Sequence, residues 1–191
     1  MESLGTDLLV ALTLVAMAAI ALVALAGLAA LTPPGRRFWD QFRAVVHGRP
    51  ALVMAAIVAS VATAGSLFFS LVRGFIPCEL CWYERIAMYP LVVILIVAAV
   101  RRDRWAWVTA APFVVAGVGV TAWHLYLENN PEAAVCTQGV ACSVKWINEL
   151  GFITIPTMAA TAFVLIGVLV ALACWPIRGQ ESGKGDFTPP K

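Results

Sequence analysis

Four of the five cysteines in this chain form two close pairs: Cys78 and Cys81 in P-C-E-L-C-W-Y-E-R-I-A-M-Y-P (77–90), and Cys136 and Cys142 in C-T-Q-G-V-A-C (136–142). Thiols so spaced support three chemistries. They can be oxidised into static staples, hold a metal through all four thiolates, or pass electrons by disulfide exchange. Closing such short loops removes little unfolded-state entropy, so staples here would add little stability. The second pair lies outside the common zinc spacing, and no metal is assigned to it. A redox relay alone gives a purpose to the residues that follow Cys81. A thiolate at a helix start is stabilised by free backbone N–H groups and by the helix dipole. Arg85 lies four residues on from Cys81, one turn deeper on the same face. A permanently charged guanidinium at the edge of lipid is costly unless something anionic needs it, although pairing with Glu84 or snorkelling to the headgroups would also accommodate it. Cys174 lies in an apolar run and reads as a packing residue.

The elements that must position these groups are membrane helices. Of the 191 residues 61% are hydrophobic and 13% charged, with a mean hydropathy of +0.87, a balance beyond what a water-soluble core requires. Five apolar stretches approach or exceed the ~20 residues needed to cross a bilayer: 8–31, 51–72, 82–100, 105–127 and 152–175. The first could be a secretory signal, but it carries Glu2 and Asp7 ahead of it with no Lys or Arg, and it is long for such a segment. The expected fold is all-α and integral to the membrane, a four-helix transmembrane bundle plus one extra N-terminal helix. Its divisions are 1–50 (the extra helix and a cytoplasmic interfacial segment), 51–175 (the bundle) and 176–191 (a disordered tail rich in Gly, Pro and charge).

Basic residues set the orientation. Arg36, Arg37, Arg43 and Arg49, then Arg101, Arg102 and Arg104, then Arg178, Lys184 and Lys191 fall on one side, leaving only Arg73, Arg85 and Lys145 for the other. The N-terminus and both cysteine pairs are therefore expected outside the cytoplasm, where two disulfides can form. A net charge of +2 with no basic stripe argues against a nucleic-acid partner. In 32–50 the aromatic and aliphatic residues share one helical face, consistent with a short interfacial helix or an anchored loop. Ser143 is positioned to cap a further helix presenting Trp146, Ile147 and Leu150 on one face and ending at Gly151. His124 lies near the outer end of the fourth span. The short R-R-D-R turn at 101–104 should bring it to about the depth of Arg85.

The string P-C-E-L-C-W-Y-E-R-I-A-M-Y-P-L (77–91), together with G-F-I-T-I-P (151–156), resembles the signature of the DsbB-like disulfide bond formation proteins, and more closely their BdbC-type branch. The resemblance covers roughly 51–175. Relatives of vitamin K epoxide reductase also use two cysteine pairs in a helical bundle, but there the loop pair comes first. The family resemblance implies a bacterial inner or plasma membrane enzyme with its cysteine loops on the extracytoplasmic side. Such an enzyme reoxidises a DsbA-like thioredoxin-fold partner and passes electrons to a membrane quinone. It implies that Cys136 and Cys142 form the pair that meets the partner, with Cys136 taking the mixed disulfide. It also implies that Cys78 and Cys81 form the quinone-coupled pair, with Cys81 beside the ring, Arg85 supporting the quinone and His124 near it. The closer spacing of the loop pair and the leading span depart from the family's best-known branch.

Overall fold

The computed structural model describes residues 2–133 and 140–175, so Cys136 and the tail 176–191 lie outside the described residues. Six helices account for most of what is described: α1 (Glu2–Ala29), α2 (Pro33–Val46), α3 (Arg49–Leu71), α4 (Glu79–Arg101), α5 (Ala106–Asn129) and α6 (Ile155–Cys174). All but α2 are long and apolar enough to cross a membrane. The four-helix bundle and the extra N-terminal helix expected from the sequence are both present.

Helices α3, α4, α5 and α6 form a closed ring of packed neighbours: α3 lies against α4 and α6, and α5 against the same two. The core they enclose contains Leu91, Leu95, Phe163 and Ile166, all fully buried, with Ala55 and Ala59 allowing α3 to approach. Close approach is also built into α5. A methyl group on Gly117 would stand 2.2 Å from the Phe163 ring, so only hydrogen fits there.

Outside this ring, α1 leans on α6 and α2. It also touches α3 near its own start, where Gly5 faces the Phe68 ring and Leu9 faces Gly65. Most of its leucines, among them Leu8, Leu22 and Leu25, are exposed, as suits a helix that faces lipid. Helix α2 begins with Pro33 and Pro34 after the Thr32 cap and buries no residue. Arg43 donates to the Trp175 carbonyl at 2.8 Å, and a ring nitrogen of His47 lies 3.0 Å from the Leu172 carbonyl, so α2 is tied to the end of α6.

One expected element is absent. Residues 143–150 do not form a helix; the chain turns instead, and an isolated antiparallel bridge joins Glu149 to Ile153. Leu150 and Gly151 both have positive φ, 54° and 79°, so Gly151 serves a tight reversal and not a helix stop. Ile147 is buried and Trp146, itself 40% exposed, stacks on Phe75 at 5.0 Å, while Leu150 is exposed. Packing of individual side chains against the bundle took the place of an amphipathic helix.

Candidate functional site: a dithiol between two helices

The start of α4 is shaped by its own cysteines. Cys78 is the N-cap, in extended conformation, and its sulfur accepts the Cys81 N–H at 3.3 Å. Cys81 therefore sits within the first turn, its sulfur 2.8 Å from that of Cys78. Both are free thiols in this state. Pro77 before the cap and Glu79 just inside it reinforce the helix start. The hydrogen bond from Cys81 holds the Cys78 thiol well below the ordinary range, with the facing His124 adding to the effect and burial opposing it.

The two sulfurs have different surroundings. Cys78 is buried in a small cluster with Leu127 and Cys142. His124, from α5, places one ring nitrogen 3.7 Å from the Cys78 sulfur and the other 2.8 Å from a carboxylate oxygen of Glu84. Glu84 is 6% exposed and His124 3% exposed, so this chain of cysteine, imidazole and carboxylate is shielded from bulk water. The carboxylate fixes the orientation of the ring, as carboxylate partners of histidine commonly do.

Cys81 instead borders a large apolar cavity of about 600 Å³, together with Arg85. Arg85 directs its donors to α3: Nε to the Ser66 hydroxyl at 3.0 Å, and a terminal nitrogen to the Ser66 carbonyl at 3.3 Å and to the Ser70 hydroxyl. The Trp82 ring lies 5.2 Å from its guanidinium carbon. Two consecutive helix positions thus serve different neighbours of α4, Glu84 reaching α5 and Arg85 reaching α3. His124 does not border the large cavity; it lines a small one with Cys78, Cys81 and Glu128.

The second cysteine segment reaches the site through Cys142, which is 1% exposed and disulfide-bonded. Glu128 accepts from the Thr154 hydroxyl at 2.8 Å, and Thr154 caps α6 ahead of Pro156, which accounts physically for the T-I-P of the second motif. Of the residues singled out in the sequence, Cys78, Cys81 and His124 converge, their ligand atoms within 4.8 Å of one another. Arg85 adjoins Cys81 from the other side, and Cys136 lies outside the described residues. Glu84, considered from sequence only as a partner for Arg85, is the residue the pattern missed. An ionisable side chain inside a span was the available signal.

Fold and site together define a helical membrane protein organised around a reactive dithiol. The chain belongs to the DsbB family: residues 48–175 match the family described as disulfide bond formation protein DsbB. It is 43% identical over 130 residues to disulfide bond formation protein C of Bacillus subtilis, covering 66% of this chain and 91% of that protein. It is 40% identical over 124 residues to a probable disulfide formation protein of Oceanobacillus iheyensis, covering 62% of this chain and 84% of that one. No solved structure matches. Family membership carries a role in membrane disulfide bond formation, as an oxidoreductase.

Proposed function

We propose that the protein is a thiol:quinone oxidoreductase that reoxidises an extracytoplasmic, DsbA-like thioredoxin-fold partner. The observation that carries this reading is the division of labour within one dithiol, with Cys78 in the same buried cluster as disulfide-bonded Cys142 and Cys81 bordering an apolar cavity with Arg85.

In this account the reduced partner attacks the disulfide of Cys136 and Cys142, forming a mixed disulfide at Cys136, and leaves as a disulfide with two loop thiols behind. Those thiols then reduce the Cys78–Cys81 disulfide by the same exchange, restoring the loop bond. The burial of Cys78 and Cys142 in one cluster with Leu127 supports this hand-over. His124 is placed to move the proton of Cys78, and Glu84 to hold the imidazole in the required orientation. The residues present suit a quinone at Cys81: a cation and two serine hydroxyls at one end of the cavity and an apolar lining beyond. A quinone bound there would take up two electrons and two protons as the Cys78–Cys81 disulfide re-forms. Arg85 stabilises negative charge beside Cys81, and the apolar walls exclude water. The excess of Arg and Lys at the opposite ends of the spans supports an orientation with the cysteine segments on the outer side of a bacterial plasma membrane.

A second reading has a specific observation behind it. Cys78, Cys81 and His124 could act as three ligands to a metal, with Glu84 supporting the histidine. Graded reduction of the purified protein, followed by mass spectrometry and metal analysis, separates the two. The relay predicts pairs that are readily reduced and are reoxidised by added quinone. Retained stoichiometric metal, with no reoxidation by quinone, would replace it with the metal site.

A further inference from the structure

We propose that Glu128 carries the proton of the exchange between the two cysteine pairs, acting through the small cavity at the dithiol. This rests on the relay reading above and gives a role to a buried acid which that reading leaves idle. Glu128 lies on α5 one turn beyond His124 and is 5% exposed, whereas the next two residues, Asn129 and Asn130, are exposed. Its hydrogen bond does not account for a carboxylate there. The bond comes from a neutral hydroxyl, that of Thr154 at 2.8 Å, and Thr154 itself caps α6 through the Thr157 N–H. A glutamine would accept from that hydroxyl equally well, without the cost of burying an acid. What the acid adds is the capacity to take up a proton and return it.

The cavity that Glu128 lines has a volume of about 20 Å³, room for one water molecule. Cys78, Cys81 and His124 line it as well, and so do Ala141 and Val144 from the segment around Cys142. Sulfur exchange is placed at the same spot, since Cys78 and Cys142 are buried in one cluster with Leu127, the residue before Glu128. Once the partner has left the loop pair reduced, Cys142 gives its proton through a water in the cavity to Glu128, and its sulfur attacks that of Cys78. The Cys78–Cys81 bond breaks, and Cys81 leaves as a thiolate that takes a proton back from Glu128 by the same path. Cys136 then attacks Cys142, closing the loop disulfide and freeing Cys78, which receives the second thiol proton by way of His124. Two electrons and two protons pass from the loop pair to the core pair, and Glu128 ends in the state in which it began.

The test mixes a reduced thioredoxin-fold partner with the oxidised full-length protein in detergent, without quinone. Samples quenched in acid and alkylated are read by mass for loop thiols and core thiols separately. Near neutral pH, Glu128→Gln should slow the appearance of core thiols about a hundredfold, while loop thiols appear at the unsubstituted rate. The deficit should shrink as the pH approaches ~8.5, where thiols ionise without help. His124, Glu84 and the dithiol from α4 and Lys145 from the loop act on the same carboxylate, and α6 brings the neutral Thr154. All are retained in the variant, so the difference between the two pH profiles belongs to Glu128. Glu128→Asp, an acid on a shorter arm, should be slower than the unsubstituted protein yet keep its pH profile. Thr154→Val, which removes the hydrogen bond and keeps the acid, should leave the rate near the unsubstituted value. A Glu128→Gln rate that is unchanged, or reduced by the same factor at every pH, overturns the proposal while leaving the relay intact. So does an Asp variant that behaves as Gln, or a Thr154→Val variant as slow as Glu128→Gln, which would make Glu128 an anchor for α6. If loop thiols form in the unsubstituted protein and core thiols never follow, the relay reading fails and this proposal with it.

Discussion

The imidazole of His124 stands between Glu84 and Cys78, 2.8 Å from a carboxylate oxygen on one side and 3.7 Å from the sulfur on the other. Histidine and carboxylate come from different helices, and both are buried. The arrangement links proton movement at the thiol to the packing of α4 on α5.

That linkage predicts separable effects on exchange. His124→Asn should slow transfer of electrons from the loop thiols to the Cys78–Cys81 disulfide by about a hundredfold, the lower range of general acid–base contributions. Glu84→Gln, which keeps shape but loses the orienting charge, should slow it by roughly tenfold. Single-turnover mixing of reduced partner with oxidised protein, quenched with acid, reads both. Unchanged rates would remove the pair from the mechanism.

Arg85 should act on the other half of the reaction. Arg85→Gln is expected to raise the KM for quinone about tenfold or more, the loss expected for one charge-assisted contact. Both disulfides should still form, as read by alkylation and mass. Quinone kinetics indistinguishable from the unsubstituted protein would place Arg85 outside the site.

The lowered pKa of Cys78 predicts how the reduced protein responds to pH. A thiol held below its unfolded value of ~8.5 contributes stability that is fully present above that pH and is lost as the pH falls through the lowered folded value. Subtracting Cys78→Ser from the unsubstituted reduced protein should leave a denaturation midpoint that declines with acidification below about pH 8. A flat difference across this range would mean that no thiolate is favoured there.

Packing around α5 gives a test independent of chemistry. Gly117→Val should destabilise the bundle by about 1–3 kcal/mol, because its side chain would run into Phe163. At Gly119 an added methyl meets nothing within 4 Å, and Gly119→Ala should be neutral or stabilising by up to about 1 kcal/mol. Denaturation in detergent compares them, and equal midpoints for the two variants would contradict the packing described.

Much of this was legible in the sequence because hydropathy and thiol spacing are local signals. The five spans, the interfacial-length helix over 33–46 and the helix start at the C-x-x-C all follow from neighbouring residues. Which face of α4 meets which partner did not, since Glu84 and Arg85 are adjacent in sequence and about 100° apart around the helix. Pairing between them was one alternative the pattern left open, whereas the bundle sends Glu84 to His124 and Arg85 to Ser66 and Ser70. The misread helix over 143–150 has a similar origin. Its helical spacing of apolar residues was real, but Ile147 and Trp146 found separate partners and Leu150 adopted a left-handed turn.

The central claim is that electrons cross two cysteine pairs in series, and it is tested most directly by following quinone reduction by the purified protein supplied with a reduced thioredoxin-fold partner. The account predicts steady turnover for the unsubstituted protein and its loss in both Cys81→Ser and Cys136→Ser. Cys136→Ser should block transfer from the partner, and Cys81→Ser should block delivery to the quinone. Full turnover in either variant would contradict it.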